Sequence, residues 1–216
     1  MSEEATRVTD RHFRYLAERT AQEDEFLAAL RQAAREEEIP AIAVSAEQAS
    51  FMQILLRLRG ASDVVEVGTL AGYSAIAMAR ALPEGGRVRT IEIEPRFAEF
   101  ARRWIARSDV KDKIEVIVGP GREVLPRLET ASADACFLDA DKASYGAYLD
   151  EGLRILRPGG LVMVDNAFAF GQLFDEKPTD PEAPAIQAFN DFVPTVEALH
   201  SIIIPLGDGM WVGVKS

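Results

Sequence analysis

Two short apolar runs in this chain break off into hard oxygen side chains: Phe137-Leu138-Asp139-Ala140-Asp141-Lys142 and, 26 residues on, Leu161-Val162-Met163-Val164-Asp165-Asn166. Between them lie a helical pattern from Tyr145 to Leu156 and a Pro158-Gly159-Gly160 turn. Strand, helix and strand over that distance imply a right-handed crossover and parallel pairing, since antiparallel neighbours need only a hairpin. With the strands adjacent, Asp139, Asp165 and Asn166 converge at one edge of the sheet. That edge, beyond the carboxyl ends of parallel strands, is where open α/β sheets bind ligands.

The same alternation runs through most of the chain. Strands are expected at Val64–Val67, Arg87–Ile93, Lys113–Val118, Ala135–Leu138 and Leu161–Val164. Helices are expected at Gly72–Leu82, at Pro95–Arg107 with proline in the first turn, briefly at Arg122–Leu128, and at Pro184–Phe192. Ala198–Ile204 and Met210–Val214 flank Gly207-Asp208-Gly209, a hairpin signal. Residues 11–38 read as one helix, from the spacing of Phe13, Leu16, Phe26, Leu27 and Leu30, ended by Ile39-Pro40. Ser45-Ala46-Glu47-Gln48 has capping-box form and opens a helix that Gly60 stops. The sum is a doubly wound α/β sheet in a single domain over residues 1–216, with a helical cap over 1–60 and an α/β core over 61–216. The stretch Ala167 to Pro184, with three prolines and four acidic residues, reads as a loop, either a binding loop or a plain surface excursion.

Composition narrows the function classes. A net charge of −11 argues against a nucleic-acid groove, which needs a basic face. No apolar run approaches the length of a membrane span, and the N-terminal segment Met1–Asp10 lacks the apolar core of an export signal. The one cysteine, Cys136, sits inside a strand pattern as a small buried hydrophobe, and no disulfide framework can form within the chain. A cytoplasmic location is therefore the expectation.

A second site element precedes the first. Val65-Glu66-Val67-Gly68-Thr69-Leu70-Ala71-Gly72-Tyr73-Ser74 runs strand, tight turn, helix start. Gly68 permits a turn where a side chain would meet a ligand, and Gly72 opens a helix whose amides favour an anionic group. Glu92, ending the next strand, can accept hydrogen bonds from both hydroxyls of a ribose. Two cofactors suit this arrangement, a nicotinamide dinucleotide and S-adenosylmethionine. The spacing departs from the Gly-x-Gly-x-x-Gly that a pyrophosphate usually needs, which tilts the choice away from NAD.

Four motifs in order now resemble the cation-dependent O-methyltransferases, whose relatives include the caffeoyl-coenzyme A and catechol enzymes and their small bacterial counterparts. They are Glu66 to Ser74; Phe137 to Lys142 with Tyr145 and Tyr148; Asp165-Asn166; and Pro205-Leu206-Gly207-Asp208-Gly209. The resemblance spans residues 40 to 216. It implies a Rossmann-like class I methyltransferase fold, a seven-stranded, mostly parallel sheet with its last strand antiparallel and a helical N-terminal cap, and a homodimer. Carried over residue by residue, it implies that Gly68, Thr69 and Ser74 meet the methionine portion of S-adenosylmethionine, with Val44 on the same side. Glu66 would support the turn, Glu92 hold the ribose, and Gly121 lie near the adenine. Asp139, Asp165 and Asn166 match the metal ligands, and Lys142 the general base.

The chemistry explains such a set. Methyl transfer from a sulfonium is an in-line displacement, so positioning supplies much of the rate. A protonated phenol is a poor nucleophile, and a divalent cation chelated by two adjacent hydroxyls acidifies it. Magnesium prefers six oxygens, and two carboxylates with one amide oxygen supply half of them; manganese or calcium would be accepted by similar donors. The absence of a histidine or cysteine cluster argues against zinc. Phe168, Phe170 and Phe174 suit either an aromatic acceptor or core packing, and Trp211 falls near where animal catechol enzymes place a carboxylate. The expected activity is cation-dependent methylation of a vicinal dihydroxy-aromatic acceptor. An NAD-dependent oxidoreductase and a non-catalytic S-adenosylmethionine-binding protein are the alternatives.

Overall fold

A computed structural model describes residues 9–20 and 22–216 of the chain. The elements follow in order: α1 (Asp10–Ala17), α2 (Glu25–Glu36), α3 (Ala46–Arg59), β1 (Asp63–Val67), α4 (Tyr73–Ala81), β2 (Arg87–Glu92), α5 (Pro95–Ile105) and β3 (Ile114–Val118). Then come α6 (Gly121–Val124), β4 (Ala133–Leu138), α7 (Tyr145–Ile155), β5 (Leu156–Val164), α8 (Ala183–Phe192), β6 (Leu199–Ile204) and β7 (Met210–Lys215). One seven-stranded sheet has the order β3-β2-β1-β4-β5-β7-β6. β1 to β5 pair in parallel, while β7 is antiparallel to both β5 and β6. Strand order reverses between β1 and β4, the switch point at which such sheets hold ligands.

Both faces of the sheet are covered. On one, Phe137, Met163, Ile76 and Met78 join a core that includes Leu30, Met52 and Leu56 of α2 and α3. On the other, Val65, Leu138 and Val162 pack with Tyr145, Leu149 and Phe189 of α7 and α8. Central strands covered on both sides carry near-continuous apolar runs, which is why their sequences read so clearly. Cys136 is buried in β4, and a Cβ on Gly152 of α7 would come 3.1 Å from its sulfur. No described helix is long and apolar enough to cross a membrane.

Three expectations need correction. The single helix expected over 11–38 is two, α1 and α2, because Asp24 caps a new start: its carboxylate accepts from Phe26 N at 3.0 Å and Leu27 N at 3.1 Å. The Pro158-Gly159-Gly160 turn lies inside β5, where pairing shifts from Ala133↔Leu156 to Ala135↔Leu161 around a bulge. The helix expected over 122–128 is the single turn α6 followed by a 3-10 turn at Leu125–Arg127, with Pro126 tightening the break.

Candidate active site

The turn after β1 is built against β4. Gly68 has φ 103°, and a Cβ there would lie 1.9 Å from the main-chain oxygen of Asp139, so only glycine lets the two strand ends come this close. Pairing continues past both strands, with Asp139 N donating to Val67 O at 2.9 Å and Asp165 N to Leu138 O at 3.1 Å. The backbone thus sets Gly68, Asp139 and Asp165 side by side at the switch point.

A cavity of about 660 Å3 opens there, lined by Gly68, Thr69, Ser74, Glu92, Gly121 and Val44 on one side and by Asp139, Lys142 and Asn166 on the other. Glu92 Oε2 accepts from Leu70 N at 2.7 Å and its Oε1 from Glu94 N at 2.9 Å, which fixes the carboxylate at the cavity wall. The Thr69 hydroxyl bonds that of Thr90 at 2.5 Å. A Cβ on Gly121 would meet Tyr148 and Val67 at 2.8 Å, so this wall has no room for a side chain.

Glu66 stands apart from the cavity wall, fully buried, with neither carboxylate oxygen hydrogen-bonded. Ser74 and Thr90 hydroxyls lie near enough to favour its charge, but burial outweighs them, and the negative neighbours Asp139 and Glu92 add to it. The group is pushed up to about 8.

The acidic end carries a second cavity of about 490 Å3, lined by Asp165, Asn166, Asp208, Gln48, Arg31 and Arg35 among others. The two cavities share Ile42, Ala43, Val44 and Asn166, so they adjoin at one candidate ligand, with Asp139 lining the larger and Asp165 the smaller. Lys142 Nζ donates to Asp139 Oδ1 at 3.0 Å and to the Tyr145 hydroxyl at 2.7 Å. Gln48 Nε2 donates to Asp165 Oδ1 at 2.8 Å, and Asn166 Nδ2 to Asp208 Oδ2 at 3.2 Å. Burial first, and then the charge of Asp139, push Asp165 well above the ordinary carboxylate range. Two like charges forced together in a partly dry pocket are what a divalent cation relieves, and the donors are all hard oxygens. Among the described residues no three of His, Cys, Asp and Glu gather as a metal-holding group; the candidate set is two acids and an amide. The donor set therefore fits an oxygen-seeking cation.

The O-methyltransferase family model matches residues 17–216. The chain belongs to the O-methyltransferase family. It is 37% identical over 204 residues to the catechol O-methyltransferase of Niastella koreensis, covering 93% of this chain and 90% of that protein. It superposes with a TM-score of 0.84 and 35% identity on the O-methyltransferase TomG from Streptomyces achromogenes in complex with SAM, covering 94% of each chain. The Bacillus cereus O-methyltransferase in complex with SAH gives a TM-score of 0.86 at 30% identity, covering 94% of this chain and 96% of that one. Membership in the O-methyltransferases sets the oxidoreductase reading aside.

Within this O-methyltransferase, sequence reasoning missed several residues at the site. Gln48 read only as a helix cap, Asp208 as a turn residue within the Pro205–Gly209 motif with no role of its own, and Glu182, which accepts from Lys142 N at 3.3 Å, only as part of a loop. Their spacing to Asp165, Asn166 and Lys142 in sequence carried no signal; only the hairpin at Gly207-Asp208-Gly209 marked a place. Trp211 lines neither cavity, is 8% exposed, and donates from Nε1 to Asn190 Oδ1 at 2.7 Å. Of the three phenylalanines only Phe170 lines a cavity; Phe168 packs on Gly209 and Phe174 is 93% exposed.

Proposed function

We propose that the protein transfers a methyl group from S-adenosylmethionine to one hydroxyl of a vicinal dihydroxy-aromatic acceptor, with a divalent cation, magnesium first, at Asp139, Asp165 and Asn166. The observation that carries this reading is how the three residues sit on the two adjoining cavities, with Asp139 lining one, Asp165 the other and Asn166 both, next to the Gly68 turn. The solved relatives in complex with SAM and SAH support the cofactor, and the catechol O-methyltransferase relative supports the acceptor class.

Each residue has a role that its chemistry allows. The close turn at Gly68 and Thr69, with Ser74 and Val44, would seat the methionine end. The first amides of α4 would face its carboxylate. Glu92 would accept from the ribose hydroxyls, and the flat wall at Gly121 would take the adenine. A cation at the acidic end would supply Lewis acidity to the acceptor's adjacent hydroxyls. Lys142 would take the hydroxyl proton on Nζ, held in place by Asp139 and Tyr145. Phe170 would face the acceptor ring and exclude water. We propose further that the enzyme works in the cytoplasm as a homodimer, a reading helped by the exposed Phe13, Tyr15 and Leu16 of α1.

The test is methyl incorporation from labelled S-adenosylmethionine into catechol, with and without chelator. Turnover that disappears with chelator and returns with magnesium is the expected result. Turnover indifferent to chelator would remove the cation, and no turnover of any dihydroxy-aromatic would remove the acceptor class.

A further inference from the structure

Two residues outside the ligand set, Gln48 and Asp208, hydrogen-bond to it directly. Gln48 sits in the first turn of α3, where its Oε1 accepts from Ser45 N at 3.0 Å and its own N donates to Ser45 Oγ at 3.1 Å. That reciprocal cap leaves Nε2 free, and it donates to Asp165 Oδ1 across 117 residues of sequence. The amide cannot be reversed, because its oxygen would then face a carboxylate and its NH2 a backbone N–H. Gln48 is 4% exposed, and a Cβ on Gly207 would lie 2.4 to 2.6 Å from its amide atoms, so the β6–β7 turn closes directly over it.

The same turn supplies Asp208. Its Oδ2 accepts from Asn166 Nδ2 and, at 2.8 Å, from Phe170 N. Its main-chain oxygen accepts from Phe168 N at 2.8 Å, and that of Gly209 from Ala167 N at 2.9 Å. A carboxylate only accepts, so the NH2 of Asn166 must face Asp208, which leaves Asn166 Oδ1 uncommitted. Asn166 is held with φ 65°, a region that a non-glycine residue occupies at some cost unless its surroundings impose it.

Together with Lys142 on Asp139 Oδ1, a pattern emerges. Each candidate ligand has one side-chain atom engaged by the protein and one oxygen left over: Asp139 Oδ2, Asp165 Oδ2 and Asn166 Oδ1. Three single-oxygen ligands leave room in an octahedron for three more donors, which suits two acceptor oxygens and a water. Without its partner, each carboxylate could rotate or bind through both oxygens, and the amide could turn its NH2 toward the cation.

We infer that Gln48 and Asp208 are positioning residues for the cation, holding Asp165 and Asn166 as one-oxygen ligands and tying the site to the α3 cap and the β6–β7 turn. The inference rests on the cation site proposed above. Partners of this kind change metal affinity by about 10–100-fold when removed.

The experiment is a manganese titration of the full chain, with the free ion followed by electron paramagnetic resonance. It compares the wild type with Gln48→Met, Asp208→Ala and Asp208→Asn. Gln48→Met and Asp208→Ala should raise the manganese Kd by about 10–100-fold. Asp208→Asn, which can still accept from Asn166 through its amide oxygen, should recover most of that loss. S-adenosylhomocysteine affinity should stay within about threefold throughout, because the cofactor wall makes none of these contacts. Unchanged manganese affinity in Gln48→Met and Asp208→Ala would overturn the inference while leaving the cation site standing. So would an Asp208→Asn variant as weak as Asp208→Ala, which would assign the effect to charge alone. A wild type that takes up no manganese would overturn the cation site itself.

Discussion

Lys142 Nζ lies 3.0 Å from Asp139 Oδ1, with only 6% of the lysine exposed. The Tyr145 hydroxyl accepts from the same nitrogen at 2.7 Å, and burial pushes that phenol far above its ordinary range, so it stays protonated. Lys142, which lines the 660 Å3 cavity, is thus held by two neighbours. Lys142→Ala should lower kcat by about 10²–10⁴-fold near neutral pH. The deficit should shrink in alkali, where a phenolic acceptor ionises unaided. S-adenosylhomocysteine binding should barely change. A pH–rate profile parallel to that of the wild type would remove Lys142 as the base.

Gly68→Ala probes the switch point. The added methyl would sit 1.9 Å from the Asp139 main-chain oxygen, at a φ of 103° that alanine avoids, so β1 and β4 would have to part. The expected cost is about 2 kcal/mol or more in urea unfolding, with loss of S-adenosylhomocysteine binding in calorimetry. Wild-type stability and affinity in this variant would mean that the close approach is dispensable.

Glu66 makes stability fall with rising pH. Its folded-state value of about 8 lies above that of an unfolded chain, near 4.3. The native protein therefore keeps a proton there that the unfolded chain has already lost. The stabilisation is fully present below about pH 4 and is lost progressively as pH rises through about 8. Glu66→Gln, which mimics the protonated acid, should flatten the decline of Tm between about pH 5 and about pH 8 in the ligand-free enzyme. Equal declines in both proteins would show that Glu66 keeps an ordinary carboxylate in the fold.

Arg35 bears on acceptor choice. Among the charged side chains lining the 490 Å3 cavity, Arg31 pairs with Glu23, Asp165 with Gln48 and Asp208 with Asn166. Arg35 makes no side-chain hydrogen bond or ion pair among the described residues. A catechol carrying a carboxylate should therefore be used better than a catechol carrying an ammonium group. Because the guanidinium is exposed, Arg35→Gln should lower that ratio by only about two- to fivefold, and added salt should mask the difference. A ratio unmoved by the substitution would show that acceptors do not reach this wall.

The sheet was legible because its strands are buried on both faces: Val64–Val67, Phe137–Leu138 and Leu161–Val164 carry apolar runs that end where the chain turns into the site. Asp139, Asp165 and Asn166 could be grouped from that pattern alone, since parallel strands put their carboxyl ends together. Gln48 and Asp208 could not, because their contacts join segments far apart in sequence; Gln48 had a local role as a cap, and the Pro205–Gly209 motif marked the place of Asp208 without its role. The break between α1 and α2 was hidden for the opposite reason: Phe13, Leu16, Phe26, Leu27 and Leu30 fall near one helical spacing, and only the Asp24 cap reveals a new start. Pro158-Gly159-Gly160 has turn composition, yet the neighbouring strand absorbs it as a bulge.

The most direct measurement is the anomalous scattering of a crystal grown with manganese and S-adenosylhomocysteine. One peak within about 2.0–2.3 Å of oxygens from Asp139, Asp165 and Asn166, with three further positions open, is the outcome expected here. The absence of a peak at saturating manganese, with those three side chains turned away from one another, would contradict the account.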